Sequence, residues 1–393
     1  MSDEREDDDS RRPSRHKTPS PNSPRSAERG EFDFIERLRR RELARRGAGD
    51  KHSSLITHHS SLVLGIGDDA AVFRQGAGRD TVVTADMLVE GVDFRLEAGW
   101  ASARDLGHKA LAVSLSDVAA MGARPCFCLL SVGVPRALWL SGFVEEFYRG
   151  VGALAGLYGV RIIGGDTSRT PERVVVDSVV LGEVRRGRAL TRGGARAGDQ
   201  IFVTGSLGGA AAGLGILESR RAGNRRPGSR RAPSAPSSKV ALTRAERGLV
   251  RRQTRPAPRV EWGALLGERG LATASIDLSD GLSSDLAHVC RESGVGARVE
   301  ASLLPLDPLL KSAGAGGASA LALALDGGED FELLFTVSPR KASKLPREVG
   351  GVPVTRVGEV TAERGKVRLV GDGRARLLRP GGFEHFGRDR RNV

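Results

Sequence analysis

Six apolar runs of this chain end in, or lead into, an acid beside a glycine. They read GIGDDAAV (65–72), VVTAD (82–86), SLSDVAAMG (114–122), IIGGDTS (162–168), SIDLSDG (275–281) and DGGEDFELLF (326–335). An acid at the end of a buried strand is costly unless a cation neutralises it, and the glycine lets the backbone approach a ligand. Repeated along one chain, the pattern points to several hard divalent cations. Mg²⁺ suits it best, because it takes carboxylate oxygens, keeps part of its water shell and bridges protein acids to substrate phosphates.

The 393 residues suffice for two domains with substantial cores, and 39% hydrophobic with 28% charged residues is an ordinary globular composition. No apolar stretch approaches the roughly 20 residues that span a bilayer. The acidic, then Ser/Pro-rich start does not read as a secretory signal, so a cytoplasmic protein without membrane contact is expected. Cys126, Cys128 and Cys290 form neither a disulfide framework nor a zinc spacing and read as inert thiols. The net charge of +13 is local. Residues 220–259 hold 13 of the 61 Lys/Arg against Glu246 alone, leaving 48 bases and 47 acids elsewhere. Without interleaved aromatics, the stretch at about 220–247 reads as a solvated basic insertion, with a nucleic-acid or membrane-surface contact as the competing reading.

Residues 1–30 lack apolar periodicity and are expected to form a disordered tail. Helices are expected at 32–45, 102–123 (with Ser102 as N-cap), 141–157, 208–218, 259–269 and 281–292. Strands are expected at 61–67, 81–85, 126–134, 160–164, 173–184, 200–205, 272–278, 295–300, 331–337, 354–359 and 366–370. The alternation predicts two α/β (α+β) domains, 31–193 and 194–386, followed by a tail at 387–393. An LSD tripeptide opening a helix in each half, Leu115–Asp117 and Leu278–Asp280, fits either an internal duplication or chance.

No GxxxxGK[ST] loop and no HRD or DFG constellation occurs, so metal ions would carry much of any ATP phosphate recognition. GIGDDA with Asp86 beyond it imitates a dinucleotide fingerprint. Two carboxylates stand where phosphate would approach, however, and no helix follows. Singly, Asp68, Asp69, Asp86 and Asp117 are ordinary turn or cap residues. Together, Asp69, Asp86, Asp117, Asp166, Asp277 and Asp280 sit at element ends where loops converge, an arrangement suited to phosphoryl transfer between two phosphates. Arg192 reads as a phosphate fork or a surface arginine, and Tyr158 as a base-stacking or helix-ending residue. His108 and His288 have no partner at metal-ligand spacing and are assigned no chemistry.

Eight motifs in order resemble those of the thiamine-monophosphate kinases, in the superfamily of aminoimidazole ribonucleotide synthetase. They are GIGDDAAV, TADMLVEGVDF, KALAVSLSDVAAMGARP, GGDTS, RALTRGGARAGD, VTGSLGGAAAGL, IDLSDGLSSDL and GGEDFELLF, and the likeness runs from about Gly30 to Phe386. The resemblance implies a two-domain PurM-like fold. Its N-terminal α/β domain would join a partner's in a dimeric β-barrel, and a C-terminal α/β domain would follow. It implies direct, in-line transfer of the ATP γ-phosphate to thiamine monophosphate, giving thiamine diphosphate and ADP, in a homodimer. Carried over by position, Asp69, Thr84, Asp86, Asp117, Asp166, Asp277 and Asp280 would bind several Mg²⁺, with Asp117, Asp166 and Asp280 catalytic. Tyr158, Gly165, Arg192 and Ser279 would contact ATP, and Asp93, Glu329 and Phe383 the thiamine side. Three positions depart from the family: Asp93 stands where His is usual, Ala85 where a hydroxyl residue is, and Phe383 where Trp or Tyr is common. The selenophosphate branch of the superfamily would want a reactive cysteine near the N-terminus, and the first cysteine here is Cys126, within an expected strand.

Overall fold

The computed structural model describes residues 35–37, 39–40, 62–74, 78–96, 100–223 and 241–385. The expected tails at 1–30 and 387–393, most of the 32–45 helix and the Arg-rich residues 224–240 lie outside the described residues.

Valine-rich, alternating segments build the first sheet: β1 (Leu62–Leu64), β2 (Ala71–Arg74), β3 (Arg79–Val89), β4 (Arg124–Pro135), β5 (Arg161–Thr170) and β6 (Val175–Arg185). Their order is β1-β2-β3-β6-β4-β5, antiparallel except for the parallel pair β4–β5. On one face Val82, Cys128, Leu130, Val132, Val176 and Val180 are buried against helix α1 (Ala103–Ala120), which crosses helix α2 (Phe143–Tyr158). That crossing requires glycine. A Cβ on Gly107 would lie 1.9 Å from the Phe147 carbonyl oxygen, and one on Gly150 2.0 Å from that of Arg104. The expected Ser102 cap is present as a full capping box with Asp105.

The second sheet comprises β7 (Gln200–Thr204), β8 (Ala274–Asp277), β9 (Gly296–Glu300), β10 (Leu333–Val337), β11 (Glu348–Val349), β12 (Val352–Thr361), β13 (Val367–Gly371) and β14 (Arg374–Leu377). Its order is β14-β13-β9-β12-β7-β10-β8, with β11 on β12; only β9–β13 is parallel, so this half is α+β in character. The longer helices that accompany it include α3 (Gly209–Gly223), α4 (Arg244–Thr254), α5 (Val260–Arg269) and α6 (Leu282–Ser293). Trp262 and Leu266 of α5, with Phe335 and Val337 of β10, belong to the same core as α1, α2 and the first sheet. A Cβ on Gly263 would be 2.1 Å from the Ala119 carbonyl, so the halves share one dense seam. Among the described residues neither sheet closes on itself.

Three expectations need correction. β5 runs on to Thr170, so Gly165 and Asp166 lie inside a strand rather than beyond one. Leu115–Asp117 lies within α1, whereas Leu278–Asp280 forms the loop before α6, so the two LSD tripeptides are not structural equivalents. The basic stretch expected to be a loop through 247 runs at its end into the first turn of α4, which a Thr243–Glu246 capping box starts and fully buried Leu249 anchors. Its packing rests on close backbone approach rather than an apolar stripe: a Cβ on Gly213 would lie 2.2 Å from the Leu249 carbonyl.

Candidate active site

Three acids from three distant parts of the chain meet at the seam. Asp69 follows the Gly65–Asp68 turn, Asp117 projects from α1 and Asp277 ends β8; each brings a carboxylate oxygen within 4.8 Å of the others. Hydroxyls orient two of them: Thr84 Oγ1 donates to Asp117 Oδ2 at 2.6 Å, and Ser116 Oγ to Asp277 Oδ2 at 2.7 Å. Arg192 forks onto Asp69 Oδ1, Nη2 at 2.5 Å and Nε at 3.2 Å. Asp69 Oδ2 is buried and has no hydrogen-bond partner among the described residues. Asp86, next to Thr84 on the helix-facing side of β3, accepts from Ser114 Oγ at 2.7 Å. Asp68 has the turn role: its carboxylate accepts the backbone N–H groups of Asp69 and Arg192 at 3.1 Å.

Burial raises these acids, and they raise one another. Burial, followed by the charges of Asp86, Asp277 and Asp69, lifts Asp117 well above the carboxylate range. Burial and Asp69 push Asp277 up to about 8, against the hydrogen bond from Ser116. Asp86 rises to about 6, chiefly through burial, and Asp68 to about 7 through burial and Asp69. Burial disfavours the Arg192 cation, but Asp69 and Asp68 outweigh it and hold its pKa above the ordinary value. One guanidinium is thus too little positive charge for this cluster. Oxygen-only donors, a hydroxyl beside them and an orphaned carboxylate oxygen fit a hard divalent cation.

A second group lies where the IDLSDG and GGEDFELLF segments join. Ser279 O accepts from Glu329 N at 2.8 Å and Leu278 O from Phe331 N at 2.9 Å. Asp285 accepts from the N–H groups of Asp280 and Gly281 at 3.2 and 3.0 Å, fixing the loop that carries Ser279 and Asp280. Phe383 N donates to the Asp280 carbonyl at 3.2 Å, and its ring is half exposed. Ser279, Asp280, Glu329 and Phe383 are therefore neighbours.

Asp93 and Glu329 share a partner that the sequence reading missed. Buried Lys109 pairs with Glu329 Oε1 at 2.6 Å and donates to the Asp93 carbonyl at 3.3 Å. The Asp93 carboxylate itself accepts from Val89 N at 2.8 Å and braces its own turn. A lysine seven residues before Ser116, on the same face of α1, was the available signal. Asp330, also missed, accepts from Gly208 and Ala210 N–H at 2.6 and 3.1 Å and seats the start of α3.

Three further predicted site residues lie outside the group of Asp69, Asp117 and Asp277. Gly165 and Asp166 lie on exposed edge strand β5, where Asp166 accepts from Thr167 N at 2.8 Å; Asp166 is not in the group of three. Tyr158 ends α2 and donates to the Pro258 carbonyl at 3.0 Å. His108 contacts the Pro256 carbonyl at 2.8 Å, and burial lowers His288 to about 4. Burial also pushes the Cys128 and Cys290 thiols up to about 11 and 12, in keeping with inert thiols. Of the bases counted over 220–259, Arg252, Arg255 and Arg259 pair with Asp307, Asp105 and Glu332, so part of that charge is spent inside the fold. Among the described residues, no helix is long and apolar enough to cross a membrane.

Residues 67–184 match the family model for AIR synthase related protein, N-terminal domain, and residues 196–370 that for AIR synthase related protein, C-terminal domain. Thiamine-monophosphate kinase of Escherichia coli (strain K12) is 39% identical over 327 residues, covering 82% of this chain and 92% of that protein. The Bacillus subtilis (strain 168) enzyme is 37% identical over 332 residues, covering 84% and 95%. A solved structure described as AaThiL complexed with AMPPCP and TMP shares 30% identity and a TM-score of 0.71, over 91% of this chain and 97% of that one. With both halves matched and nearly the full length of these relatives covered, the chain belongs to the thiamine-monophosphate kinases, within the AIR-synthase-related proteins.

Proposed function

We propose that this protein transfers the γ-phosphate of ATP to thiamine monophosphate, releasing thiamine diphosphate and ADP, and that Mg²⁺ is required. The convergence of Asp69, Asp117 and Asp277 within 4.8 Å, with an orphaned buried oxygen on Asp69, carries the reading. Asp69, Asp117 and Asp277, with Asp86 and the Thr84 hydroxyl, would hold the cations, and Asp280 and Asp166 would extend the set. When bound, Mg²⁺ supplies neutralisation of charge on the donor and acceptor phosphates. The chain's own part is orientation. Ser116 and Thr84 fix the lone pairs of Asp277 and Asp117, and Arg192 is placed to turn from Asp69 to a phosphate oxygen.

Transfer is direct and in line. Thr84, Ser114 and Ser116 each donate to a carboxylate rather than to a histidine base, so none is set up as a nucleophile. Tyr158, Gly165 and Ser279 would meet the nucleotide, and Glu329 and Phe383 the thiamine portion. Asp93 contributes through the turn it braces. The exposed edge strand β5, with Ile162 and Ile163 about half exposed, is the expected seam of a homodimer. Free cysteines agree with a cytoplasmic setting.

A coupled ADP-release assay with product identification tests the proposal. ADP and thiamine diphosphate should form in equal amounts, only with Mg²⁺ and not from free thiamine. Turnover on a different phosphorylated acceptor, with none on thiamine monophosphate, would overturn the substrate and spare the reaction class.

A further inference from the structure

Glu329 is a non-glycine residue at φ 66°, a left-handed conformation held by the hydrogen bond from its N–H to Ser279 O at 2.8 Å. Both of its carboxylate oxygens are engaged. Lys109 Nζ takes Oε1 at 2.6 Å and Gln253 Nε2 donates to Oε2. A carboxylate only accepts, so this contact fixes which end of the Gln253 amide faces Glu329. The other end, Oε1, is buried without a hydrogen-bond partner among the described residues, on a residue only 4% exposed. A buried amide oxygen left without a donor is unfavourable, and such groups are ordinarily satisfied. The network is not sealed: the Glu329 side chain retains 28% of its exposure.

The position of this network relative to the acids gives it meaning. Lys109 precedes Ser116 by two turns on one face of α1, an axial distance of about 10.5 Å, and Ser116 holds Asp277. That span suits an extended small molecule with its phosphate at the acids and its ring system at Glu329. At the ring end the structure offers acceptors: a carboxylate fixed at two points and a free amide oxygen. Lys109 neutralises the Glu329 charge, so what remains on offer is acceptor atoms, and these suit an amino group.

We propose that Gln253, with Glu329 held in place by Lys109, is a specificity-determining residue that recognises the amino group on the acceptor's pyrimidine ring. This inference rests on the acceptor assigned above. Gln253 Oε1 accepts one amino N–H, and the Glu329 carboxylate keeps lone pairs for the rest of the ring system. A site built around an unpaired acceptor rejects analogues that lack the matching donor, because its own polar group then stays unsatisfied.

The test compares thiamine monophosphate with the analogue carrying oxygen in place of the pyrimidine amino nitrogen. Wild-type protein should favour the amino compound in kcat/KM by roughly tenfold or more, expressed mainly in KM. Gln253→Met should raise KM for thiamine monophosphate about tenfold, leave kcat and the KM for ATP within about twofold, and reduce the preference to about threefold or less. Equal kcat/KM for the two acceptors in the wild type, or a full preference retained by Gln253→Met, would overturn the inference. If the variant loses its cooperative thermal transition, the wild-type preference alone decides. A wild type inactive on thiamine monophosphate would instead overturn the functional reading, and this inference with it.

Discussion

Asp117 sits between two demands. As a metal ligand it must be ionised, while burial and the charges of Asp86, Asp277 and Asp69 favour its protonated form. Asp117→Asn preserves shape and the contact with Thr84 but removes a ligand charge. We expect kcat to fall about 100-fold or more, while the thermal midpoint without metal is unchanged or higher because a like-charge repulsion is gone. Wild-type turnover of this variant at limiting Mg²⁺ would exclude Asp117 as a ligand. Asp69, Asp117 and Asp277 were legible in the sequence because each is an acid next to an apolar run. Lys109 and Gln253 were not. Their chemistry lies in contacts with Glu329, which is 76 positions from Gln253, and a lone Lys or Gln in a helix announces nothing by itself. At Asp93 a family position suggested a substrate contact; in the fold its Oδ2 accepts from Val89 N and braces the turn, a backbone role that the sequence does not display.

At the scale of elements, α1 is the axle. It presents Lys109, Ser114, Ser116 and Asp117 and packs against α2 through Gly107 and Gly150. Gly107→Ala would put a methyl 1.9 Å from the Phe147 carbonyl. The helices must then separate, and urea unfolding should report a loss of about 1–3 kcal/mol; an unchanged midpoint would mean that the crossing is looser than described. Helix α4 carries Gln253 and is capped by Thr243, three residues beyond the Arg-rich residues 224–240. Replacing 224–240 by a Gly/Ser segment of equal length should leave kcat and both KM values within about twofold and remove any salt-sensitive RNA binding. A large kinetic change would mean that the basic segment serves the site.

Most strands and helices were legible from periodicity, within a few residues at their ends. Edge strand β5 was underestimated because exposed polar residues continue it past Ile163. Helix α4 was missed because Leu249 is its one fully buried large apolar side chain, and its packing relies on Gly213 of a neighbouring helix. Single-sequence patterns carry neither signal.

Across the whole molecule, the acid cluster joins the two halves, since Asp69 and Asp117 come from the first and Asp277 from the second. The shared core of α1, α5 and β10 holds those acids together at an electrostatic cost. Asp277 at about 8, Asp68 at about 7 and Asp86 at about 6 all lie above the ordinary carboxylate value, so the folded chain binds more protons than the unfolded one over that interval. The stability contributed by these protons is fully present below the unfolded carboxylate value of about 4 and is lost as pH rises through the folded values. The metal-free thermal midpoint should therefore fall between about pH 5.5 and about pH 8, and Mg²⁺ should raise it more at the higher pH. A Mg²⁺ effect independent of pH would argue against binding at these acids. The central claim, that Asp69, Asp117 and Asp277 form a divalent-cation site, is tested most directly by electron paramagnetic resonance titration with Mn²⁺. Bound Mn²⁺ should be displaced by Mg²⁺ in the wild type and should weaken at least about tenfold in a folded Asp277→Asn variant. Equal Mn²⁺ binding by wild type and variant would contradict it.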